Sequence, residues 1–284
     1  MAAMILDGRM LAKTLREELR TEIQQFTSEV GITPTLAVVH VEGDSASERY
    51  VRSIQKACDN LGIHFIKPHL AEGTQQDRLE SVVRGLSEDE KTHGILLQLP
   101  LPAGLDADTA IAQLDPRKDV DGIHPSNAGL LMQGEPRFVP NTPAGGIELL
   151  QRYNIEISGK RAVIVGRSMV VGKPMSLLLL QSHATVTIAH SRTPDLAAVV
   201  READIVVVAA GRAKLVDGSM IRPGAVVVDF GINVQDDGSM TGDVDFASAS
   251  EVASAITPVP GGTGPVTNVM LLRNVLHAAR LLQT

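Results

Sequence analysis

The stretch Ala162-Val-Ile-Val-Gly-Arg-Ser-Met-Val-Val-Gly-Lys-Pro174 decides the fold. Its first four residues are apolar and mostly β-branched, and they read as a buried strand. Gly166 follows at once, and Gly172-Lys-Pro174 opens a leucine-rich segment that reads as a helix. A strand, a glycine turn and a helix N-terminus offer free backbone N–H groups and the positive end of a helix dipole to a phosphate. The turn is not a complete Gly-x-Gly-x-x-Gly, so taken alone it also reads as a structural connection. The runs Thr185-Val-Thr-Ile188, Ile205-Val-Val-Val-Ala209 and Ala225-Val-Val-Val-Asp229 then recur at about twenty-residue intervals. That spacing predicts a doubly wound, Rossmann-like parallel sheet.

The end of the second of these strands speaks to the ligand. In NAD-binding sheets an Asp or Glu about 20 residues after the first glycine takes the ribose hydroxyls. Here the strand ends in Ala189-His-Ser-Arg192, with no acid. A carboxylate would repel a 2′-phosphate, whereas Ser191, Arg192 and Arg167 can hydrogen-bond and neutralise one. The expected cofactor is therefore NADP, the other reading being a solvated basic strand end. Ala210-Gly211 and Gly231-Ile232-Asn233 end later strands with small residues that let a dinucleotide approach the backbone. Gly166, Arg167, Ser168, Ser191, Arg192, Gly211 and Ile232 are the candidate cofactor residues.

The first half shows the same alternation. Thr35 to Val41, Ile63 to Ile66 and Gly94 to Leu99 read as strands, with helices from about Ser45 to Leu61 and Gln75 to Leu86. A stretch rich in Pro, Gly and Asp, from Pro100 to Thr142, marks a domain boundary, and a final amphipathic helix runs from about Thr267 to Leu282. The class is α/β with two domains.

Composition narrows the function. Of 284 residues, 44% are apolar and 21% charged, which excludes disorder, collagen and a disulfide scaffold. A net charge of −7 disfavours nucleic-acid binding, and five Phe, two Tyr and no Trp leave few faces on which bases could stack. The single cysteine, Cys58, excludes internal disulfides and a multi-cysteine metal site; on its helix it reads as a buried thiol, and no metal is expected. No run approaches the roughly 18 apolar residues of a membrane span, and Asp7, Arg9 and Lys13 come too early for a secretory signal, so a cytoplasmic location is expected. Tyr153 reads as a packing or capping residue.

Three segments of the first half carry ligand-type chemistry: Ser47-Glu-Arg-Tyr50 on a helix, Gln98-Leu-Pro-Leu-Pro102 at a strand end, and Lys118-Asp-Val-Asp-Gly-Ile-His-Pro125 in a loop. Singly, Asp121 also reads as a turn residue, Tyr50 as core and Gln98 as a strand cap. With Gly166-Arg-Ser168, Pro258-Val-Pro-Gly-Gly262 and Gly264-Pro265, these segments resemble, in order and along nearly the whole chain, the bifunctional methylenetetrahydrofolate dehydrogenase/cyclohydrolase family. The resemblance implies oxidation of 5,10-methylenetetrahydrofolate by NADP to a methenyl cation, which water opens to 10-formyltetrahydrofolate. It implies Tyr50, Gln98 and Asp121 as the catalytic and substrate-binding set. Asp121 would accept two hydrogen bonds from the pterin, Tyr50 would supply a flat face and a hydroxyl, and Gln98 an amide near the reacting carbon. Pro260, Gly261 and Gly262 would wall the substrate, and Thr263 would lie near the cofactor. It further implies a homodimer and two domains, residues 1–140 with the returning helix 269–284 on the folate side and 141–268 on the NADP side, with the active site in the cleft between.

One departure stands out. The family pattern runs Tyr-x-x-x-Lys, whereas this chain reads Tyr50-Val-Arg-Ser-Ile54. Four helical residues turn through about 40°, so Ile54 is expected on Tyr50's face and pointing into the site, while Lys56 is turned about 240° from it. Opening the cation needs proton transfer, and isoleucine has no proton to exchange. The expectation is a working dehydrogenase with the cyclohydrolase step severely reduced. The rivals are a fully bifunctional enzyme in which another group replaces the lysine, a non-catalytic folate- and NADP-binding paralogue, and an unrelated NADP dehydrogenase. Smaller departures from the family are Asn141, Thr263 and Val266, where cysteine, valine and methionine are usual.

Overall fold

Each apolar run quoted above forms a strand in the computed structural model, which describes residues 2–283. The chain divides into two units, Met1–Thr14 with Pro140–Met270, and Leu15–Val139 with Leu271–Thr284. It opens with the short strand β1 (Met4–Ile5) and the helix α1 (Gly8–Val30), which starts in the first of these units and ends in the second.

The unit built on Leu15–Val139 carries β2 (Thr35–Val39), α2 (Ser45–Leu61), β3 (His64–Ile66), α3 (Gln76–Glu88), β4 (Gly94–Leu97), α4 (Ala107–Ile111) and α5 (Pro125–Gln133). Its sheet is parallel, in the order β3-β2-β4. Every residue of β2 and β4 is buried, as in parallel strands covered on both faces. Helix α2 begins where the Asp44 carboxylate accepts the Ser47 N–H at 2.7 Å, and ends at Gly62, whose φ of 73° is left-handed. Its buried stripe is Ser47, Val51, Ile54, Cys58 and Leu61, the three- and four-residue rhythm of a core-facing helix. Cys58 is fully buried, and burial pushes its thiol up to about 12, so it stays an inert protonated thiol.

The other unit carries α6 (Asn141–Arg152), β5 (Arg161–Val165), α7 (Gly172–Gln181), β6 (Thr185–Ala189), α8 (Leu196–Arg201), β7 (Ile205–Val208), β8 (Val226–Asp229), the antiparallel pair β9 (Asn233–Val234) and β10 (Met240–Thr241), α9 (Phe246–Ser250), β11 (Ala255–Ile256) and α10 (Thr263–Leu281). Its six strands are parallel in the order β1-β11-β8-β7-β5-β6, so the expected α/β architecture with a doubly wound sheet is borne out. Val163, Val165, Val206, Val208 and Val227 fill its core with branched aliphatic side chains where aromatics are scarce.

The division departs from the expected boundary at the N-terminus. Residues 1–14 group with Pro140–Met270 and not with the folate side, because β1 pairs with β11, Met4 opposite Ala255 and Ile5 opposite Ile256. Two exposed residues give no alternating pattern to read, so this strand was invisible in the sequence. Tyr153, the last residue of α6's cap, secures it. The hydroxyl accepts the Asp7 N–H at 2.9 Å and donates to the Asp7 carbonyl at 3.1 Å, so the residue both caps and ties. The final helix starts at Thr263, four residues earlier than its amphipathic pattern indicated, and its later part joins the other unit, where Asn274 Nδ2 donates to the Val120 and Val139 carbonyls.

Candidate functional site

In a parallel sheet the strands' C-terminal ends carry the ligand-binding loops. In the Leu15–Val139 unit, His40 directly follows β2 and Gln98 directly follows β4. The Gln98 backbone N–H donates to the Val39 carbonyl at 2.9 Å, extending the ladder by one rung, and its Nε2 donates to the Leu99 carbonyl at 2.8 Å. A cavity of about 230 Å³ lies here, lined by His40, Ser47, Glu72, Gln98, Pro100 and Pro102 among others.

The loop bearing Asp121 is held from within. Asp119 is fully buried; it accepts the Ile123 N–H at 3.2 Å, the His124 N–H at 2.8 Å and the Asn127 amide at 2.8 Å. Burial pushes its carboxyl above the ordinary range, against the pull of these donors. Lys118 donates to the Asp89 carbonyl at 2.7 Å, and burial lowers its pKa. Asp121 itself is half-buried, as is Tyr50 on α2. Burial, and then the negative charge of Asp121, push the Tyr50 hydroxyl up to about 12, so the two residues share one electrostatic environment and the phenol remains a donor at neutral pH.

Ile54 does not occupy the place expected of it. Its side chain is 1% exposed, within the buried stripe of α2, and it is not among the residues lining the cavity beside Gln98. Tyr50, one turn earlier on α2, is half-buried and lies outside that cavity as well, and an isoleucine gains by full burial. Lys56 is exposed, on the face away from that stripe.

In the other unit a pocket of about 440 Å³ opens at the ends of β5, β6 and β7. The strand order runs outward from β5 in both directions, to β6 on one side and β7 on the other, so this is the topological switch point. Gly166, with φ of 134°, has its α-carbon against the Ala209 carbonyl; a Cβ there would sit 2.2 Å from that oxygen. Ser168 Oγ accepts the Val171 and Gly172 N–H groups at 3.1 and 3.3 Å, shaping the turn into α7. The pocket gathers Gly166, Arg167, Ser168 and Ser191, and adds His190, Thr193 and Arg212. His190 sets the rim after β6: its N–H donates to Thr193 Oγ1 at 2.9 Å and its Nδ1 accepts the Arg192 N–H at 3.1 Å.

The remaining expected residues lie outside this pocket. Arg192 and Gly211 are exposed neighbours of its lining, and Ile232, 65% exposed, follows β8. Thr263 is buried, its hydroxyl donating to the Asp229 carbonyl at 3.1 Å, which departs from the expectation of a side chain beside the cofactor. Pro260, Gly261 and Gly262 form the loop after β11, where the Gly261 carbonyl accepts the Arg9 N–H at 3.2 Å. Sequence reasoning also missed Asp243, fully buried, whose Oδ2 accepts the Ala210 and Gly211 N–H groups at 2.6 and 2.8 Å and so fixes the turn after β7.

Residues 6–121 match the family model for the tetrahydrofolate dehydrogenase/cyclohydrolase catalytic domain, and residues 140–283 match that for its NAD(P)-binding domain. The chain belongs to the tetrahydrofolate dehydrogenase/cyclohydrolase family. The resemblance read from the motifs is thus borne out over both units. Among members of the tetrahydrofolate dehydrogenase/cyclohydrolase family, a protein named Bifunctional protein FolD from Roseiflexus castenholzii is 66% identical over 281 residues, covering 99% of this chain and 98% of its own. The crystal structure of the bifunctional FolD enzyme of Campylobacter jejuni aligns with a TM-score of 0.96 at 43% identity, over 99% of each chain. The Trypanosoma brucei enzyme, complexed with NADP cofactor and inhibitor, aligns at 0.94 and 38% identity over 100% of each. Among the described residues no helix is long and apolar enough to cross a membrane.

Proposed function

We propose that the protein oxidises 5,10-methylenetetrahydrofolate with NADP to the 5,10-methenyl cation, and hydrolyses that cation to 10-formyltetrahydrofolate. The observation that carries the two-step form is the similarity, at 66% identity over 99% of the chain, to a protein named bifunctional. It favours full bifunctionality over the impaired cyclohydrolase expected from Ile54.

NADP fits the pocket at the switch point. The bare Gly166 backbone and the start of α7 suit a pyrophosphate, while Arg167, Arg212 and Ser191 surround a strand end that holds no carboxylate. When bound, this cofactor supplies the hydride acceptor. In this proposal Arg167, Ser168, Ser191 and Arg192 take its phosphates, with Gly211 and Ile232 contributing at the ends of β7 and β8. Asp121 accepts hydrogen bonds from the pterin, Tyr50 underlies the ring as a neutral phenol, and Gln98 orients the one-carbon centre. Pro260, Gly261 and Gly262 offer a loop with little side-chain bulk. Loss of hydride leaves a cation delocalised over N5 and N10, and the carboxylate of Asp121 favours such charge electrostatically.

The test is spectroscopic. NADPH formation on adding 5,10-methylenetetrahydrofolate, faster with NADP than with NAD, supports the first step; decay of added methenyl substrate above the buffer rate supports the second. Oxidation with no enzyme-driven decay would favour the impaired form, whose specific support is the apolar Ile54. The proposal extends to a cytoplasmic homodimer, which sedimentation of the purified protein tests.

A further inference from the structure

We propose that His40 is the proton-exchanging group of the hydrolytic step, an inference that rests on the bifunctional reading above. Opening a methenyl cation with water requires a group that takes a proton and returns it, and residue 54 is an isoleucine buried in the core. The cavity beside Gln98 holds one side chain whose ordinary titration lies near neutrality, and that is His40.

The geometry of His40 is unusual for a buried imidazole. It is 2% exposed, yet neither Nδ1 nor Nε2 has a hydrogen-bond partner among the described residues. A buried donor or acceptor left unmatched costs about 1–3 kcal/mol, which is why such groups are nearly always paired. The other buried histidine of this unit follows the rule: His93 Nδ1 accepts the Thr35 N–H at 3.1 Å. Val39 and Val41 join the apolar cluster that contains α3's Leu79 and Val83, so strand alternation sends the His40 side chain to the opposite face of the sheet.

Two acids of the cavity are engaged otherwise. Asp44 caps α2, and Glu42 lies 3.9 Å from Lys67 and 3.6 Å from His69. The charges facing His40 are Lys67, which disfavours the imidazolium, and Glu48, Glu42 and Asp44, which favour it. Burial outweighs them and holds the ring below its ordinary pKa, so it is neutral at pH 7 and able to accept a proton.

The step balances without an oxidant. The water oxygen bonds to the methenyl carbon and one water proton passes to the imidazole. The hydroxyl proton of the resulting adduct then leaves to solvent as C=O forms, and the C–N5 bond breaks with its electron pair going to N5. The imidazolium returns its proton to N5, so that each turnover yields one 10-formyl product and one free proton.

The test compares wild type with His40→Gln in two assays, methenyl decay and NADPH formation. The expected result is a fall of at least about 30-fold in the ratio of the two rates, since positioned acid–base help contributes typically 10²–10⁴. A merely structural role would lower both rates together and leave the ratio standing, which would overturn the proposal. A second measurement needs no variant: enzyme-driven decay in wild type should fall on acidification with a limb that NADPH formation lacks, and a shared profile would count against His40. In His40→Gly, added imidazole should restore decay in proportion to its concentration. Wild type that forms NADPH but does not accelerate decay would overturn both this inference and the bifunctional reading. Wild-type acceleration kept by His40→Gln would overturn this inference alone.

Discussion

The Asp243 backbone N–H donates to Asp229 Oδ1 at 3.1 Å, so two buried acids, fourteen residues apart in sequence, meet at the end of β8. Asp229 also accepts the Gly231 and Val244 N–H groups at 2.8 and 2.9 Å, while Asp243 accepts from Ala210, Gly211 and Asn233. Each carboxylate organises a different turn, and the proximity of Asp243 makes ionisation of Asp229 more costly.

Burial, opposed by its three backbone donors and assisted by the neighbouring Asp243, pushes Asp229 up to about 6. A folded-state pKa above the unfolded one means that the native form binds this proton more tightly. Its contribution to stability is therefore full below about pH 4 and is lost as pH climbs through about 6, a change of about 3 kcal/mol. Carboxyl-carbon NMR of the Asp-labelled protein should show one resonance titrating near 6, and a midpoint near 4 for Asp229 would refute it.

Replacing Asp243 by alanine strips two turn N–H groups of their acceptor and leaves the Asn233 amide only the Thr241 carbonyl at 3.4 Å. Asp243→Ala should lose about 2–4 kcal/mol in urea unfolding and raise the KM for NADP more than it lowers kcat. An unaltered KM would show that the turn after β7 does not touch the cofactor.

Ser191 sits on the pocket rim, where an acid would select against a 2′-phosphate. Ser191→Asp should lower the ratio of kcat/KM for NADP over NAD by about tenfold or more, worth roughly 1.4 kcal/mol. Equal losses with both cofactors would place the 2′-phosphate elsewhere.

Tyr153→Phe removes both hydrogen bonds to Asp7 while keeping the ring. The loss expected in equilibrium unfolding is about 1 kcal/mol, because the Asp7 carbonyl loses its donor while the Asp7 N–H keeps the Ile5 carbonyl at 3.1 Å. A midpoint identical to wild type would mean that water substitutes freely.

Ile54→Ala distinguishes a core residue from one open to ligand. At 1% exposure the expected cost is about 2–5 kcal/mol, with a cavity left in the stripe of α2. A cost under about 1 kcal/mol would return Ile54 to the site wall.

The β5 turn and strands β2 and β4 of the first half were legible because buried runs of Val, Ile and Leu admit few other readings. β1 was not, since two exposed residues acquire strand character only from the partner they meet. Nor were α4 and α5 seen inside the Pro- and Gly-rich stretch; Asp106 and His124 cap them through contacts that composition does not display. Tyr50 and Asp121 were found by motif, whereas Asp229 and Asp243 look like loop acids until the chain folds them together. His40 resembled any other residue at the end of a strand, because unmatched nitrogens are a property of surroundings.

The edge strand contributed by Met4–Ile5 has a practical side for anyone who would handle the dinucleotide-binding unit separately. A fragment spanning residues 140–283 would lack the donors that now meet the Ser254 and Ile256 carbonyls at 2.8 and 2.9 Å, exposing β11 as a bare sheet edge. Such an edge invites pairing with other chains and aggregation. The portion of the gene that encodes a complete sheet is therefore discontinuous, and a soluble excised version would need the N-terminal segment grafted back beside β11.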